Sequence, residues 1–301
     1  MVDALRLLAR DKVALVAALF LLLVVAAAIF GPMLVEDVAG KMNLLRACNA
    51  PPGSLEAGIL HVLGADQLGR PILARIIQAA RNTILIAASA VAVSMIVGAI
   101  IGLVAGYARG WVETVIMRGA DIVMSFPSLL LAVIVLYVFE PHVGNLVIVL
   151  AITRLPIYIR TTRAEVLEIR ERMYVQAARV LGASPMRLIL RHIMPMVLPT
   201  LITIATLDFA FVMLAESALS FLGIGIQPPE VTWGLMVAQG RNYLSSAWWL
   251  AFFPGLAIML TTLSLNLLSS WLRLATDPTQ RWRLETRSKG SGAVSEGGDT
   301  A

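Results

Sequence analysis

The sequence predicts an all-α membrane protein: a bundle of six transmembrane helices with a folded, basic corner between the fourth and the fifth. Three observations predict it. Of 301 residues, 58% are hydrophobic and only 14% charged, whereas a soluble domain carries roughly 45–50% apolar and about 25% charged residues. Apolar runs long enough to cross a bilayer, ~20 residues each, recur along the chain. Lys and Arg gather in alternate connections, as positively charged cytoplasmic loops do. The same composition excludes a disordered chain, which needs few apolar residues and much charge. The single cysteine, Cys48, excludes an internal disulfide and any cysteine-built zinc or iron–sulfur site.

The first run, 13–34, is 22 residues without a charge, preceded by Arg6, Arg10 and Lys12 in a short segment, 1–12. It exceeds the ~7–15 residues of a signal-peptide core, so it reads as a retained helix. A polar segment, 35–81, carries the turn signal Pro51-Pro52-Gly53-Ser54. Further spans follow at 82–107, 118–139, 143–159, 194–222 and 248–272. A charged segment, 160–192, separates spans four and five, and a turn-rich segment, 223–247, separates five and six. The tail, 273–301, becomes Gly/Ser-rich and is expected to be partly disordered.

Six spans put both termini on one side. That side carries 17 of the 24 Lys and Arg residues and the other six, with Arg154 inside a span. Both termini are therefore expected in the cytoplasm. The net charge of +5 reads as an orientation signal, and nucleic acid is not an expected partner. Trp233, Trp248 and Trp249 fall near the expected outer interface, where amphipathic rings settle. Gly98 and Gly102 lie four apart on one helix face, which suits close backbone packing, either within the bundle or against a partner chain.

The segment between spans four and five has helical periodicity over 165–181, with Val166, Ile169, Met173, Ala177 and Val180 on one face and Glu168 four residues before Arg172. Gly182 suits a left-handed helix stop, Ser184 an N-cap and Pro185 a first helical position. Small residues at the tip (Ala177, Ala178, Ala183) would let another backbone approach. Two readings of the pattern stand: a lever gripped by a partner protein, or a helix hairpin lying on the membrane surface.

The stretch VQAARVLGASPMRLILRHIMPMVLP, 175–199, resembles the cytoplasmic coupling motif of permease subunits of ABC importers. Ala177, Ala178, Gly182 and Pro195 or Pro199 match; Gln176 stands where the family has Glu. HVLGADQLGR (61–70), GYARGW (106–111), SFPSLLLA (125–132), LAESALSFLGIGIQPP (214–229) and FPGLAIMLTTLSLNLL (253–268) are similar to the dipeptide/oligopeptide/nickel permeases, in particular their C-type member. Val62 and Pro71 depart from that pattern. Over 61–77 an interface helix is expected, with Pro71 at its start.

The resemblance implies a type I ABC importer permease with its core over 82–278, and a non-catalytic half of the translocation pathway. A second related permease would complete the pathway, two ATPase subunits or domains would dock on the corners, and an extracytoplasmic binding protein would deliver substrate. Coupling would rest on Gln176, Ala177, Ala178, Arg179, Gly182, Ala183, Ser184, Pro185 and Arg187. ATP and magnesium would sit on the partner ATPases, with no cofactor on this chain. In agreement, the sequence has no GxxxxGK[ST] phosphate loop. It also lacks HExxH and GxSxG, which counts against an intramembrane enzyme. No repeat relates its halves, which counts against the alternative of a stand-alone secondary transporter.

Ionisable groups within spans are costly and usually face protein or water. Arg154, Asp208 and Glu216 are the three of interest. Arg154 and Asp208 depart from the family pattern, and their expected depths differ by only ~6 Å, close enough to pair. Such a pair would line or gate the pathway, or simply fix helix packing. Glu216 reads as lying near an outer gate. Asp121 is expected to offset Arg118 one turn away. The cargo stays open among dipeptides, oligopeptides, nickel and other peptide-sized solutes.

Overall fold

The computed structural model describes residues 8, 11–40, 49–54, 59–139 and 142–276. Arg6, Arg10, Cys48 and the tail beyond residue 276 lie outside them. The helices are α1 (Lys12–Ala39), α2 (Ile72–Ala108), α3 (Gly110–Met124), α4 (Ser128–Val138), α5 (Val143–Ile169), α6 (Met173–Val180), α7 (Pro185–Arg187), α8 (Met194–Phe221), α9 (Trp233–Gly240) and α10 (Trp249–Thr276). Among the described residues, five helical segments are long and apolar enough to span: Lys12–Val35, Ile72–Ala108, Val143–Ile169, Pro185–Phe221 (α7 and α8 with the turn between them) and Trp249–Arg273. A sixth span exists only if α3 and α4 are taken together.

Those two helices correct the expected straight span over 118–139. They meet at 86°. Pro127 is the N-cap residue of α4 and has no N–H to offer α3; its ring also pushes Phe126 away from helical geometry. Span two also differs. Residues 72–81 form no separate interface helix but are the first turns of α2, with Ile72, Ala74, Ala79 and Ala80 buried. Span four continues ten residues past 159, about 15 Å, because Ile159, Thr162, Val166 and Ile169 keep a buried face on it.

α2 is the central helix, packed on α1, α5 and α8. Its glycines face inward. A Cβ on Gly98 would lie 2.5 Å from Tyr158 Cβ, one on Gly102 2.7 Å from the Ile159 carbonyl, and one on Gly106 2.7 Å from Val166 Cβ. The stripe therefore serves internal α2–α5 packing. Trp233 and Trp249 are likewise internal rather than interfacial: both rings are buried, and their indole N–H groups donate to the carbonyls of Ile76 (2.9 Å) and Ala65 (3.2 Å). Trp248 alone of the three is exposed.

Among the described residues, two large apolar cores and two small clusters result. The outer core, the one away from the segment between α5 and α8, joins α1, α2, α4, α5, α8, α9 and α10 through residues such as Ile86, Leu146, Leu150, Val212 and Met213. The inner one joins α2, α5 and α8 to the corner through Leu103, Tyr158, Val166, Val175, Leu188 and Leu201.

Candidate functional site

The corner between α5 and α8 is built by local rules. α5 stops at Ile169, so the expected single helix over 165–181 is broken. At the break, Arg170 Nη1 donates to the carbonyls of Gly106 and Tyr107, at 3.1 Å each. Of the expected apolar face, Val166 and Ile169 are buried, whereas Met173 and Val180 are 86% and 87% exposed. Val175 fills the inner core instead.

α6 then ends in a Schellman turn: Gly182 N–H donates to the Arg179 carbonyl and Ala183 N–H to that of Ala178. Gly182 sits at φ +87°, a conformation that favours glycine. Ser184 Oγ accepts from Arg187 N–H (3.4 Å) and Pro185 opens the next turn. A wide π turn, Leu188–Ile193, leads into α8. Gln176 folds back and donates to the Glu171 carbonyl (3.1 Å), which a glutamate could not do.

Exposed on this corner are Val180, Leu181, Met186 and Met173, among Arg172, Arg179 and Arg187. The tip is therefore an apolar patch with a basic rim, while its underside is tied to the spans. Arg109 donates to Glu171 (2.8 Å), Thr200 to Glu165 (3.1 Å), and Arg163 to Glu113 (2.6 Å). Arg160 pairs with Asp121, so Asp121 does not serve Arg118 as expected. Burial pulls the Arg170 guanidinium below its ordinary value, and Arg109 adds repulsion. Donation to the Glu168 carboxylate lifts Arg172. Both stay protonated at any physiological pH.

The second constellation lies in mid-span. Arg154 is 11 residues beyond Val143 in α5, about 16 Å from its start. Asp208 is 14 residues beyond Met194 in α8, about 21 Å along it. The structure pairs Arg154 Nη2 with Asp208 Oδ1 and lays the guanidinium over the Phe211 ring, 4.2 Å from its centre. Asp208 is buried; Arg154 is 17% exposed at its side chain. Arg154 Nε is buried without a hydrogen-bond partner, and the buried Tyr158 hydroxyl lies beside Asp208 and Ser94. The pair falls where the two apolar cores meet, between Leu150 and Tyr158 on α5 and between Ile204 and Val212 on α8.

Glu216 is fully buried near the C-terminal end of α8. It accepts from Ser220 Oγ (2.8 Å) and Ser217 Oγ (3.4 Å). Through these two serines it ties that end together.

Sequence reasoning missed a third cluster, in the loop before α2. Asp66 accepts from Leu68 N–H and Arg70 N–H (both 2.9 Å), Arg70 Nε (2.7 Å) and Arg75 Nη1 (2.9 Å). Arg75 also reaches Gln239 on α9 (3.2 Å). The Asp66/Arg70 spacing was the available signal; the long-range Arg75–Gln239 contact left none.

Residues 98–282 match the family described as binding-protein-dependent transport system inner membrane component. Residues 1–52 match the N-terminal transmembrane domain of oligopeptide transport permease C. The chain is 42% identical over 271 residues to the di/tripeptide transport system permease protein DppC of Pseudomonas aeruginosa, covering 90% of this chain and 89% of that one. It is 42% identical over 270 residues to the dipeptide permease DppC of Escherichia coli, covering 89% and 90%. It is 35% identical over 269 residues to the glutathione permease GsiD of Pectobacterium atrosepticum, covering 89% and 88%. Among solved structures, a chain of the MetNI methionine ABC transporter in inward-facing form superposes with a TM-score of 0.57. That match has 16% identity and covers 69% of this chain and 99% of that one.

The helix order, the packed corner and these matches agree: the chain belongs to the binding-protein-dependent transport system inner membrane component family, as a non-catalytic, multi-pass permease subunit of an ABC importer with the type I fold.

Proposed function

We propose that the subunit forms half of a pathway for peptides and couples it to ATP hydrolysis through the corner around Gly182. One observation carries the coupling role. Val180 and Leu181, each 87% exposed, form an apolar patch on a charged corner that is itself wired into the inner core. Exposed apolar patches rimmed by polar groups mark protein contacts. The contact surface comprises Gln176, Ala177, Ala178, Arg179, Gly182, Ala183, Ser184, Pro185 and Arg187.

Its partner is an ATPase subunit or domain holding ATP and magnesium, present twice in the assembly. A second related permease completes the pathway, and an extracytoplasmic binding protein supplies cargo. Peptide cargo is supported by relatives named for dipeptides, tripeptides and glutathione. Both termini and the corner face the cytoplasm.

Closure of the ATPases on ATP would pull the corner. The Arg109–Glu171, Glu165–Thr200 and Arg163–Glu113 contacts would carry that movement to α2, α8 and α3. The pull does work only if docking differs in strength between the two states. Glu216 acts as a tie at the outer end of α8. Arg154 and Asp208 stand at the level where inner and outer halves would part.

The test is a bismaleimide crosslink, which alkylates two thiols without oxidation, from Ala183→Cys to a cysteine introduced on the ATPase surface in intact cells, with dipeptide uptake measured with and without vanadate. Crosslinking and vanadate-sensitive uptake are expected. A corner that touches no ATPase refutes the coupling role.

A further inference from the structure

Arg154 opens into a cleft of about 220 Å³ whose walls include Met124, Phe126, Ser128 and Thr153. Two independent features argue for water in this cleft. Arginine in mid-span is costly unless it faces protein or water. The helix break between α3 and α4 interrupts the backbone hydrogen-bond ladder and leaves the first turn of α4 without a side-chain cap, which at membrane depth is tolerated only inside protein or along a water-filled cavity. Break and arginine share the same cleft.

The arginine is also only partly used. Asp208 takes one guanidinium nitrogen, Phe211 covers a face, and Nε–H is buried with no acceptor. Guanidinium has five donors in a fixed fork suited to carboxylate. The other charge of the pair, Asp208, stands behind it and is not among the groups lining the cleft. The first turn of α4, at the cleft edge, has no side-chain cap, so its dipole adds positive potential.

We infer that this cleft is a section of the translocation pathway in which Arg154 receives the carboxylate of a passing substrate, with Asp208 as its positioning residue. The inference rests on the peptide-transport function proposed above. It adds a substrate class, since a free carboxylate is then needed for fast passage. Asp208 and Phe211 hold the fork; the substrate carboxylate takes donors that Asp208 leaves free or displaces it, which loosens the contact between α5 and α8 as substrate arrives.

The test uses the complete transporter, with its second permease, ATPases and binding protein, in liposomes. The probes are radiolabelled Ala-Ala and its C-terminal amide, each presented on saturated binding protein. The swap R154D/D208R keeps a pair in place but turns the sign at the cleft. It is expected to assemble and hydrolyse ATP, yet to pass Ala-Ala at less than about a tenth of the wild-type rate. R154Q is expected to lose Ala-Ala passage about tenfold and amide passage less than twofold, while R154K keeps at least half of the Ala-Ala rate.

Restoration of Ala-Ala uptake by the swap, or equal losses for acid and amide in R154Q, would reduce the pair to a packing tie and overturn the inference. Should the swap fail to assemble, R154K against R154Q decides on the same rates, equal rates overturning it. A wild-type transporter without ATP-driven uptake of Ala-Ala would instead refute the proposed peptide function.

Discussion

Gly182 is the residue on which the corner turns. Its φ of +87° has no steric cost for glycine, and an L side chain there costs about 1–2 kcal/mol. Space is not the obstacle, since nothing lies within 4 Å of a Cβ built on it. Gly182→Val should therefore lower the melting temperature of the purified complex only modestly but shift the tip enough to impair docking. ATP hydrolysis stimulated by loaded binding protein should fall severalfold while the complex still assembles. Arg154 and Asp208 make the opposite case, where charge and not backbone is at stake. Removing one member of a buried pair leaves an uncompensated charge and costs roughly 3–5 kcal/mol, whereas replacing both by apolar groups is often neutral. Asp208→Asn should thus melt earlier than R154M/D208L. A thermal scan of the three proteins in one detergent checks the order, and an equal shift in both variants would mean that burial is not what makes the pair costly.

The helix pair α2/α5 depends on three glycines, each a turn from the next, and the tolerance for added volume is low. Gly102→Val would drive a branched side chain into the Ile159 carbonyl and Thr162. Overpacking of this kind costs about 1–3 kcal/mol or more. Loss of folded protein in the membrane fraction is expected, with Gly119→Ala, which meets nothing within 4 Å, as the silent control. α3 is held differently, by Arg160–Asp121 and Arg163–Glu113 on its α5 side. The glycine stripe, the Gly182 turn and the Ser184 cap were legible in the sequence because each depends on neighbours within one helical turn or on one residue's allowed backbone. The break at Arg170 was not, because its cause is two carbonyls 63 and 64 residues away. The elbow at Pro127 had a local signal, but an apolar run on either side of it reads as one span. Helix spacing alone pairs Asp121 with Arg118, whereas the packing of α3 on α5 gives it to Arg160.

At the scale of the whole molecule, the two faces of the bundle are built for different surroundings. Between α1, α2 and α10 runs a groove of about 690 Å³ lined by Phe20, Leu23, Phe30, Leu256 and Leu260, fit for lipid chains. The cleft at the α3–α4 elbow holds a guanidinium and a broken helix, which lipid would not tolerate. Orientation across the membrane is a separate property, set by where the cations fall along the chain. With α3 and α4 counted as one span, the arginines of the corner and those preceding α1 and following α10 fall on one side, against a much smaller number on the other. Charge near span ends sets orientation, so both termini should lie in the cytoplasm together with Gly182. A reporter that fluoresces only when folded in the cytoplasm should therefore be bright when fused after residue 276. The same reporter should be dark when the chain is cut after residue 246, between α9 and α10. The reverse pattern would put the apolar tip of Val180 and Leu181 outside the cell, beyond the reach of any ATP-driven partner, and coupling through the corner would fail on geometry alone.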